Sequence, residues 1–422
     1  MPKSNYNELF YNSMKSYSEL TDDEINQMKE ISSKVFNEDD VLFIEDFQRQ
    51  TPEKKLNKVF MAKERKSDKI IGFINLTDTP MDYYGTELKS CELSIVATDP
   101  DFQGKGISNS LTEDFMKEIE RCEYTSIFIQ GIPNFYRRYG FDYAVPMKNM
   151  IIDGNKIPEK KYSDDNDNIE IVNATIEDAK YIYELGKNFR SEFPGIYKYR
   201  TLPVIQTSIS GYKTAFTRKE YFIIKKNEEY MGYFCLNSDI KKILIEEASE
   251  MTFSIYERII DFSRNLRKNC EKIEVNLPKN SSMIAYLKTF EKKENDFSWG
   301  SYSFQVKIPD LYLLLNKTKN ILEKRINDSA FKNEKMEFIL NNYSQSIKVK
   351  YDNGELSFEK ITPWKLTWDC NLPYQVLVKV IFGDNRASEL QSIYPDTIIQ
   401  PEYKEFFEIL FPDVTVHIYN NY

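Results

Sequence analysis

The chain has 422 residues, 41% of them hydrophobic and 29% charged, with 57 basic and 66 acidic side chains for a net charge of −9. That length exceeds one ordinary core and points to two or three domains of a soluble globular protein, with no stretch near the roughly 20 apolar residues of a membrane span. The acidic balance argues against a nucleic-acid footprint and suits either cationic ligands or plain solubility.

The N-terminus, "MPKSNYNELFYNSMKSYSELTDDE", is too polar for a signal peptide. "TDDEINQMKEISSKVF" (21–36) reads as an acid-started helix with Thr21 as its N-cap. "KVFMAKERKSDKIIGFINLT" (58–77) alternates around a polar turn at 66–68 and reads as a hairpin. An apolar, β-branched strand, "CELSIVAT" (91–98), passes through a loop into an amphipathic helix ending near Glu120. The strand "YTSIFIQ", the helix "PNFYRRYG" and a strand near "FDYAVPM" complete a first block of α+β order.

The polar, turn-rich stretch 152–168 reads as a linker. A second block then opens with the strand "IEIVN", a cap at Thr175 and a helix. "KEYFIIKKNEEYMGYFCLN" repeats the hairpin pattern and "KKILIEEAS" the strand after it, which suggests a duplicated unit. The third block starts near Trp299 with the strand "SYSFQVKI" and the helix "DLYLLLNKTKNILEKRI". A Tyr-Asp-Asn-Gly hairpin turn and three short helices follow, and the chain ends "PDVTVHIYNNY". The expected division is 1–151, a linker at 152–168, 169–298 and 299–422.

Cys91, Cys122, Cys235, Cys270 and Cys370 are odd in number and far apart. They fit reduced thiols of a cytoplasmic protein, without a disulfide framework or a metal site. The single histidine, His417, leaves catalysis to other acids and bases.

The loop between the 91–98 strand and its helix carries the first chemistry. Gln103-Gly104-Lys105-Gly106-Ile107-Ser108 lies where a strand gives way to a helix. Glycines there let successive N–H groups curl around one concavity, and the helix start adds about half a positive charge. Such a loop holds a diphosphate, or it is only a tight turn. A Gly-Lys-Ser/Thr ending is missing, and position 109 is Asn where a dinucleotide fingerprint needs Gly, so two phosphate-loop classes are excluded.

Pro100 followed by Gln103-Gly-x-Gly resembles the acetyl-coenzyme-A loop of the GNAT N-acetyltransferases, with Ser108 in place of the usual final Gly or Ala. "NFYRRYGF" (134–141) is similar to that family's Phe-Tyr-x-Arg-Phe/Tyr-Gly-Phe segment. The resemblance implies that Tyr136 protonates the departing thiolate; the alternative is a packed helix tyrosine among 29. It also implies that strand 94–98 splays from its neighbour and offers backbone groups to the pantetheine arm. Val96 and Ala97 then serve mainly in packing, with Thr98 closing the strand, and Lys105 either reaches a phosphate or stays solvated.

A GNAT domain, a degenerate copy and a small α/β tail together resemble the enhanced-intracellular-survival (Eis) type of acetyltransferase. The implied fold class is α+β: tandem GNAT folds plus a sterol-carrier-protein-like C-terminal domain. The second copy lacks the loop, so it is expected to bind no coenzyme. The type's C-terminal carboxylate, here that of Tyr422, is implied as general base; a frayed terminus and His417 are the competing readings. A carboxylate of pKa ~3.5 is ionised at neutral pH and attracts an ammonium. The implied reaction is acetyl transfer from acetyl-CoA to a primary amine of a polyamine, an aminoglycoside or a protein lysine, by a homohexamer, with no acyl-enzyme. The alternative is a lipid or sterol carrier with a vestigial acetyltransferase domain.

Overall fold

A computed structural model of the chain describes residues 8–36, 41, 56–147, 150–159, 168–198, 200–211, 219–239, 241–268, 270–290, 303–362, 369–383 and 385–418. The architecture is mixed α/β, built on four sheets.

The first block contains β1 (Phe10–Ser16), α1 (Asp22–Val35), β2 (Lys58–Glu64), β3 (Ile70–Asp78), β4 (Met81–Tyr83), β5 (Thr86–Leu88), β6 (Ser90–Thr98), α2 (Ile107–Arg121), β7 (Ser126–Ile129) and β8 (Asp142–Pro146). Thr21 caps α1 as expected: the Glu24 N–H donates to its hydroxyl at 3.2 Å, and its own N–H donates to the Glu24 carboxylate at 3.1 Å. Alternation along the strands sends Phe60, Ile74, Leu76 and Leu93 toward α2, and Val59, Met61, Phe73 and Ala97 toward α1. The two helices therefore cover opposite faces of one sheet.

β9 (Met150–Asp153) ends the first block, and the second holds β10 (Ile169–Asn173), α3 (Ala179–Glu192), β11 (Ile196–Lys198), α4 (Leu202–Ser210), β12 (Lys219–Lys226), β13 (Glu229–Asn237), β14 (Ile243–Ala248), α5 (Phe253–Leu266), β15 (Lys272–Val275) and α6 (Ser282–Lys288). The third holds β16 (Ser303–Lys307), α7 (Leu311–Asn327), β17 (Met336–Asn341), β18 (Ser346–Asp352), β19 (Glu355–Ile361), β20 (Cys370–Asn371), α8 (Tyr374–Phe382), α9 (Ala387–Gln391), β21 (Ile398–Ile399), α10 (Pro401–Leu410) and β22 (Val416–His417). The Tyr-Asp-Asn-Gly turn joins β18 to β19, with Asn353 and Gly354 both at positive φ, as a two-residue hairpin demands.

The sheets do not follow the block boundaries read from the sequence. The first sheet runs β1-β2-β3-β6-β7-β16-β8, so a strand read as the start of the third block lies between β7 and β8. The second runs β10-β12-β13-β14-β15-β9, and its last strand comes from the end of the first block. Ile152 and Asp153, read as the start of a linker, are the last two residues of that strand. The blocks thus exchange one strand each. The reason is hydrophobic: Phe304 and Val306 of β16, and Met150 and Ile152 of β9, are buried in cores that their own blocks do not complete.

The first and second blocks share an irregularity. Between β3 and β6 the pairs Leu76↔Leu93 and Asn75↔Ile95 leave Ser94 as an extra residue. Between β13 and β14 the pairs Leu236↔Ile245 and Cys235↔Glu247 leave Glu246 extra in the same way. Such bulges bend a strand and re-aim its side chains.

A four-stranded sheet, β22-β11-β4-β5, takes strands from all three blocks. The remaining sheet, β19-β18-β17-β20-β21, belongs to the third block. Its core is continuous with the first block: Phe382 meets Phe128 edge-to-face at 5.7 Å, and Met81, Val145 and Phe304 join the same cluster. No described helix is long and apolar enough to cross a membrane.

Candidate active site

In the first sheet β6 and β7 run parallel but pair only at Ser90↔Ser126, Cys91↔Ile127 and Glu92↔Phe128. Past the bulge at Ser94, Ile95 to Thr98 stay paired with β3 on one side, and among the described residues this segment has no ladder partner on the β7 side. Its N–H and C=O groups on that edge need partners from elsewhere. Val96 packs with the α2-side core and Ala97 with the α1-side core, so both side chains serve packing while their backbone lines the open edge.

The loop begins at this edge. Asp99 braces its start: the carboxylate accepts the Asp101 N–H at 3.0 Å and the Lys34 ammonium at 2.7 Å. Burial alone would raise the Asp99 carboxyl; these two bonds hold it below the usual carboxylate range. Gly104 and Gly106 have φ of +74° and +79°, a region other residues enter at a cost of about 1–2 kcal/mol. Gly106 is the N-cap of α2, whose first turn carries no acidic residue and receives no side-chain cap from it. The N–H groups at that helix start and the positive end of its dipole are therefore available to an anion.

The helix start is held against the sheet by a missing side chain. A Cβ at Gly72 of β3 would sit 2.9 Å from the Ile107 Cγ2 and 3.1 Å from the Ala97 carbonyl oxygen. The Gln103 amide lies 3.5 Å from the Thr98 carbonyl oxygen, and the Ser108 carbonyl accepts the Thr112 hydroxyl at 2.7 Å. Lys105 folds back, donating to the Asp101 carbonyl at 2.8 Å with its ammonium 4.5 Å from the Phe102 ring centroid. In this conformation it supports the loop rather than projecting from it. With this loop holding acetyl-CoA, as the sequence resemblance implies, Gly106→Ala should raise the acetyl-CoA KM by roughly tenfold, equivalent to about 1.4 kcal/mol, with kcat nearly unchanged; steady-state kinetics checks it.

Tyr136 begins a short 3-10 turn (Tyr136–Tyr139) between Asn134 and Gly140, both at positive φ. It is 5% exposed, its ring against Phe135 at 4.9 Å and Phe141 at 6.1 Å, in the core that also receives Val96 and Phe102. Gly131 leaves room for that ring, because a Cβ there would fall 2.2 Å from its Cε2. Tyr139 donates to the Asn109 side chain on the first turn of α2, which ties the tyrosine turn to the loop's helix. From below, Lys307 of the exchanged strand donates to the Tyr139 carbonyl at 2.5 Å. Gly131, Asn109 and Lys307 escaped the sequence reading; the Asn at position 109 was noticed only as a departure from another motif.

The second block repeats the splay without the cradle. β14 pairs with β15 only over Ile243, Leu244 and Ile245, and the residues beyond carry charges where β6 carries an open edge. Glu247 forms an ion pair with Arg200 and accepts the Tyr221 hydroxyl at 3.0 Å, while Lys219 lies 3.1 Å from Glu246. Burial would raise the Glu247 carboxyl, but Arg200 and Lys219 hold it below the ordinary range. His417, 7% exposed, lies in the field of this cluster on β22, and burial pushes its imidazole down to about 3. So weak a base is a poor acceptor for an ammonium proton.

Tyr422, the residue whose carboxylate the resemblance implies as base, lies outside the described residues. The described chain end pairs β22 in parallel with β11, which pairs with β4, whose hairpin partner β5 leads directly into β6.

Residues 16–144 match the family model described as an acetyltransferase (GNAT) domain. No curated protein matches the chain by sequence. Among solved structures, a probable N-acyltransferase of unknown function from Enterococcus faecalis V583 superposes with a TM-score of 0.71 at 14% identity, covering 98% of this chain and 100% of that one. A GCN5-related N-acetyltransferase from Anabaena variabilis gives 0.68 at 12% identity, with 97% and 99% covered. Eis1 from Mycobacterium abscessus gives 0.57 at 11% identity, with 98% and 100% covered. At these identities the likeness is one of fold, extending over all three blocks.

Proposed function

We propose, from the premise that the chain is an acyltransferase of the GNAT type, that it transfers the acetyl group of acetyl-CoA directly to a primary amine of a polycationic acceptor, aminoglycoside-like or a lysine side chain. The observation that carries the reading is the junction of three features: the open edge of β6, two positive-φ glycines, and a helix start that no side chain of its N-cap covers. These groups fit a diphosphate followed by an amide-bearing arm, because they offer N–H donors first and an unpaired strand edge next. Bound there, acetyl-CoA supplies an activated acyl group as a thioester.

The residues then divide the work. Residues 103–108 hold the diphosphate, and the edge from Ser94 to Thr98 aligns the arm. The Tyr422 carboxylate takes a proton from the acceptor's ammonium. As the C–N bond forms and the C–S bond breaks, the Tyr136 hydroxyl gives its proton to the departing sulfur. No cysteine is needed as a nucleophile; Cys91, on the strand itself, is buried and its thiol pushed well above the ordinary value. The second block binds no coenzyme, since its corresponding edge is filled by Glu246, Glu247 and their partners. The third block acts as scaffold rather than lipid carrier, because its apolar side chains pack into the first block.

A thiol-release assay with acetyl-CoA across aminoglycosides, polyamines and lysine peptides tests the reaction; release with at least one class is expected, and silence across the panel sinks it. A chain lacking only Tyr422 should lose turnover about 10²-fold or more while retaining acetyl-CoA affinity. Unchanged turnover would remove the terminal carboxylate from the mechanism.

A further inference from the structure

Where the tyrosine turn meets the third block there is a cavity of about 670 Å³ that the acetyl-transfer reading does not use. It lies at the foot of the first sheet. Lys307 pairs with Ile127 at the start of β7, and Val306 with Asp142 at the start of β8. The open edge of β6 begins only past the Glu92↔Phe128 rung, farther along the strands. The cavity and the glycine loop therefore lie toward opposite ends of the sheet.

Its walls are basic in a chain whose overall balance is acidic. Arg137 and Lys307 line it, and among the described residues Asp142 is the one carboxylate that does so. That carboxylate is already engaged. Arg137 Nε lies 3.1 Å from it and the Lys379 ammonium 3.0 Å, and the Tyr143 N–H donates to it at 2.8 Å. Lys307 forms no ion pair with a described residue: its ammonium donates to the Tyr139 carbonyl, and Gly140 leaves it room, since a Cβ there would stand 3.1 Å from Nζ. Burial pushes the Lys307 ammonium below the ordinary lysine value, with Glu120 opposing, and does the same to Lys379, with Asp142 opposing. Both amines are short of negative charge. The neutral groups of the wall do not supply it. The Tyr374 hydroxyl accepts the Ile308 N–H at 2.8 Å and donates to the Val306 carbonyl at 3.2 Å. Gln345 accepts the Leu311 N–H at 2.7 Å and donates to the Pro309 carbonyl at 3.2 Å. Phe141 and Tyr394 add aromatic surface, the Tyr394 ring centroid lying 5.9 Å from the Lys379 ammonium.

We propose that this cavity binds a small organic phosphate monoester. Arg137 and Lys307 give the phosphate charged N–H donors, and the organic part lies along Phe141 and Tyr394. Three cations around one carboxylate leave a charge that a monoester, close to a dianion at neutral pH, answers. The volume favours an ester over free phosphate, because a cavity of this size suits a whole metabolite and an ion alone would leave most of it to water. Arg137 belongs to the turn that carries Tyr136, and Lys307 braces that turn, so the ligand touches it from the end away from the glycine loop. The proposal stands whether or not acetyl-CoA is the co-substrate.

Calorimetric titration of the full chain with phenyl phosphate tests this. Saturable binding is expected, with inorganic phosphate competing more weakly. Arg137→Gln and Lys307→Gln should each weaken it about tenfold or more, through the loss of one charge-assisted contact. Glutamine at 307 keeps a donor for the Tyr139 carbonyl, and the Arg137 side chain is half-exposed, so its replacement leaves the fold intact. Lys335→Gln, which removes an exposed lysine paired with Asp352, should leave binding unchanged. Dephospho-coenzyme A, which carries a diphosphate but no monoester, should not displace the probe. No saturable binding by the wild type at millimolar concentration, wild-type binding in Arg137→Gln, or equal weakening in Lys335→Gln each overturns the proposal. So does displacement by dephospho-coenzyme A, which would put the probe in the coenzyme site, or inorganic phosphate binding as tightly as the ester.

Discussion

Tyr136→Phe is expected to lower acetyl transfer by about 10²–10⁴-fold, the range for a positioned general acid, while leaving acetyl-CoA affinity intact and the melting temperature within a few degrees. The ring is what the core uses: it sits against Phe135, Phe141 and Gly131, and phenylalanine preserves all of that packing. Only the hydroxyl is lost, and with it, on the proposed mechanism, the proton for the leaving sulfur. Tyr139→Phe is the internal control, since it removes the bond to Asn109 from a more exposed ring three residues on and should reduce rate far less. Single-turnover kinetics with each variant separates the two. Equal rates for Tyr136→Phe and wild type would return Tyr136 to the status of a packed aromatic.

Residues 1–159 expressed alone are expected not to fold, although they contain the whole candidate loop 103–108 and Tyr136. Without β16 the first sheet has a gap of about 10 Å between β7 and β8, twice the strand spacing. The edges of both strands lose their partners, and Phe304 and Val306 leave the core that holds Phe128 and Val145. Lys307, which supports the tyrosine turn at the Tyr139 carbonyl, leaves with them. The fragment should be aggregated or show no cooperative melting transition. A cooperative transition together with acetyl-CoA binding would mean that the first block closes its sheet unaided.

What the amino-acid sequence disclosed and what it withheld divide by distance along the chain. The Thr21 cap, the Asn353-Gly354 turn, the alternation of β2 and β3 and the glycine loop are local events whose residue types carry their own reasons. Strand exchange is not local. "SFQVK" has the same pattern in whichever sheet it joins, and nothing within it names β7 and β8 as its neighbours. "MIID" is short enough to pass for the edge of a linker. The site follows the same rule. As candidates, Tyr136 and residues 103–108 were legible because they form contiguous motifs, whereas Gly131, Asn109 and Lys307 lie apart in the chain and meet only around the tyrosine turn. The part those three play depends on which neighbours they meet, and that is visible only in three dimensions.

The β22-β11-β4-β5 sheet also has a consequence in time. Its strands lie at residues 81–88, 196–198 and 416–417, so the sheet stays incomplete until β22 has been synthesised. At ribosomal rates of about 5–20 residues per second, β11 waits on the order of tens of seconds for β22 to appear. A nascent chain that has not reached β22 therefore lacks the strand that pairs with β11 and completes this sheet.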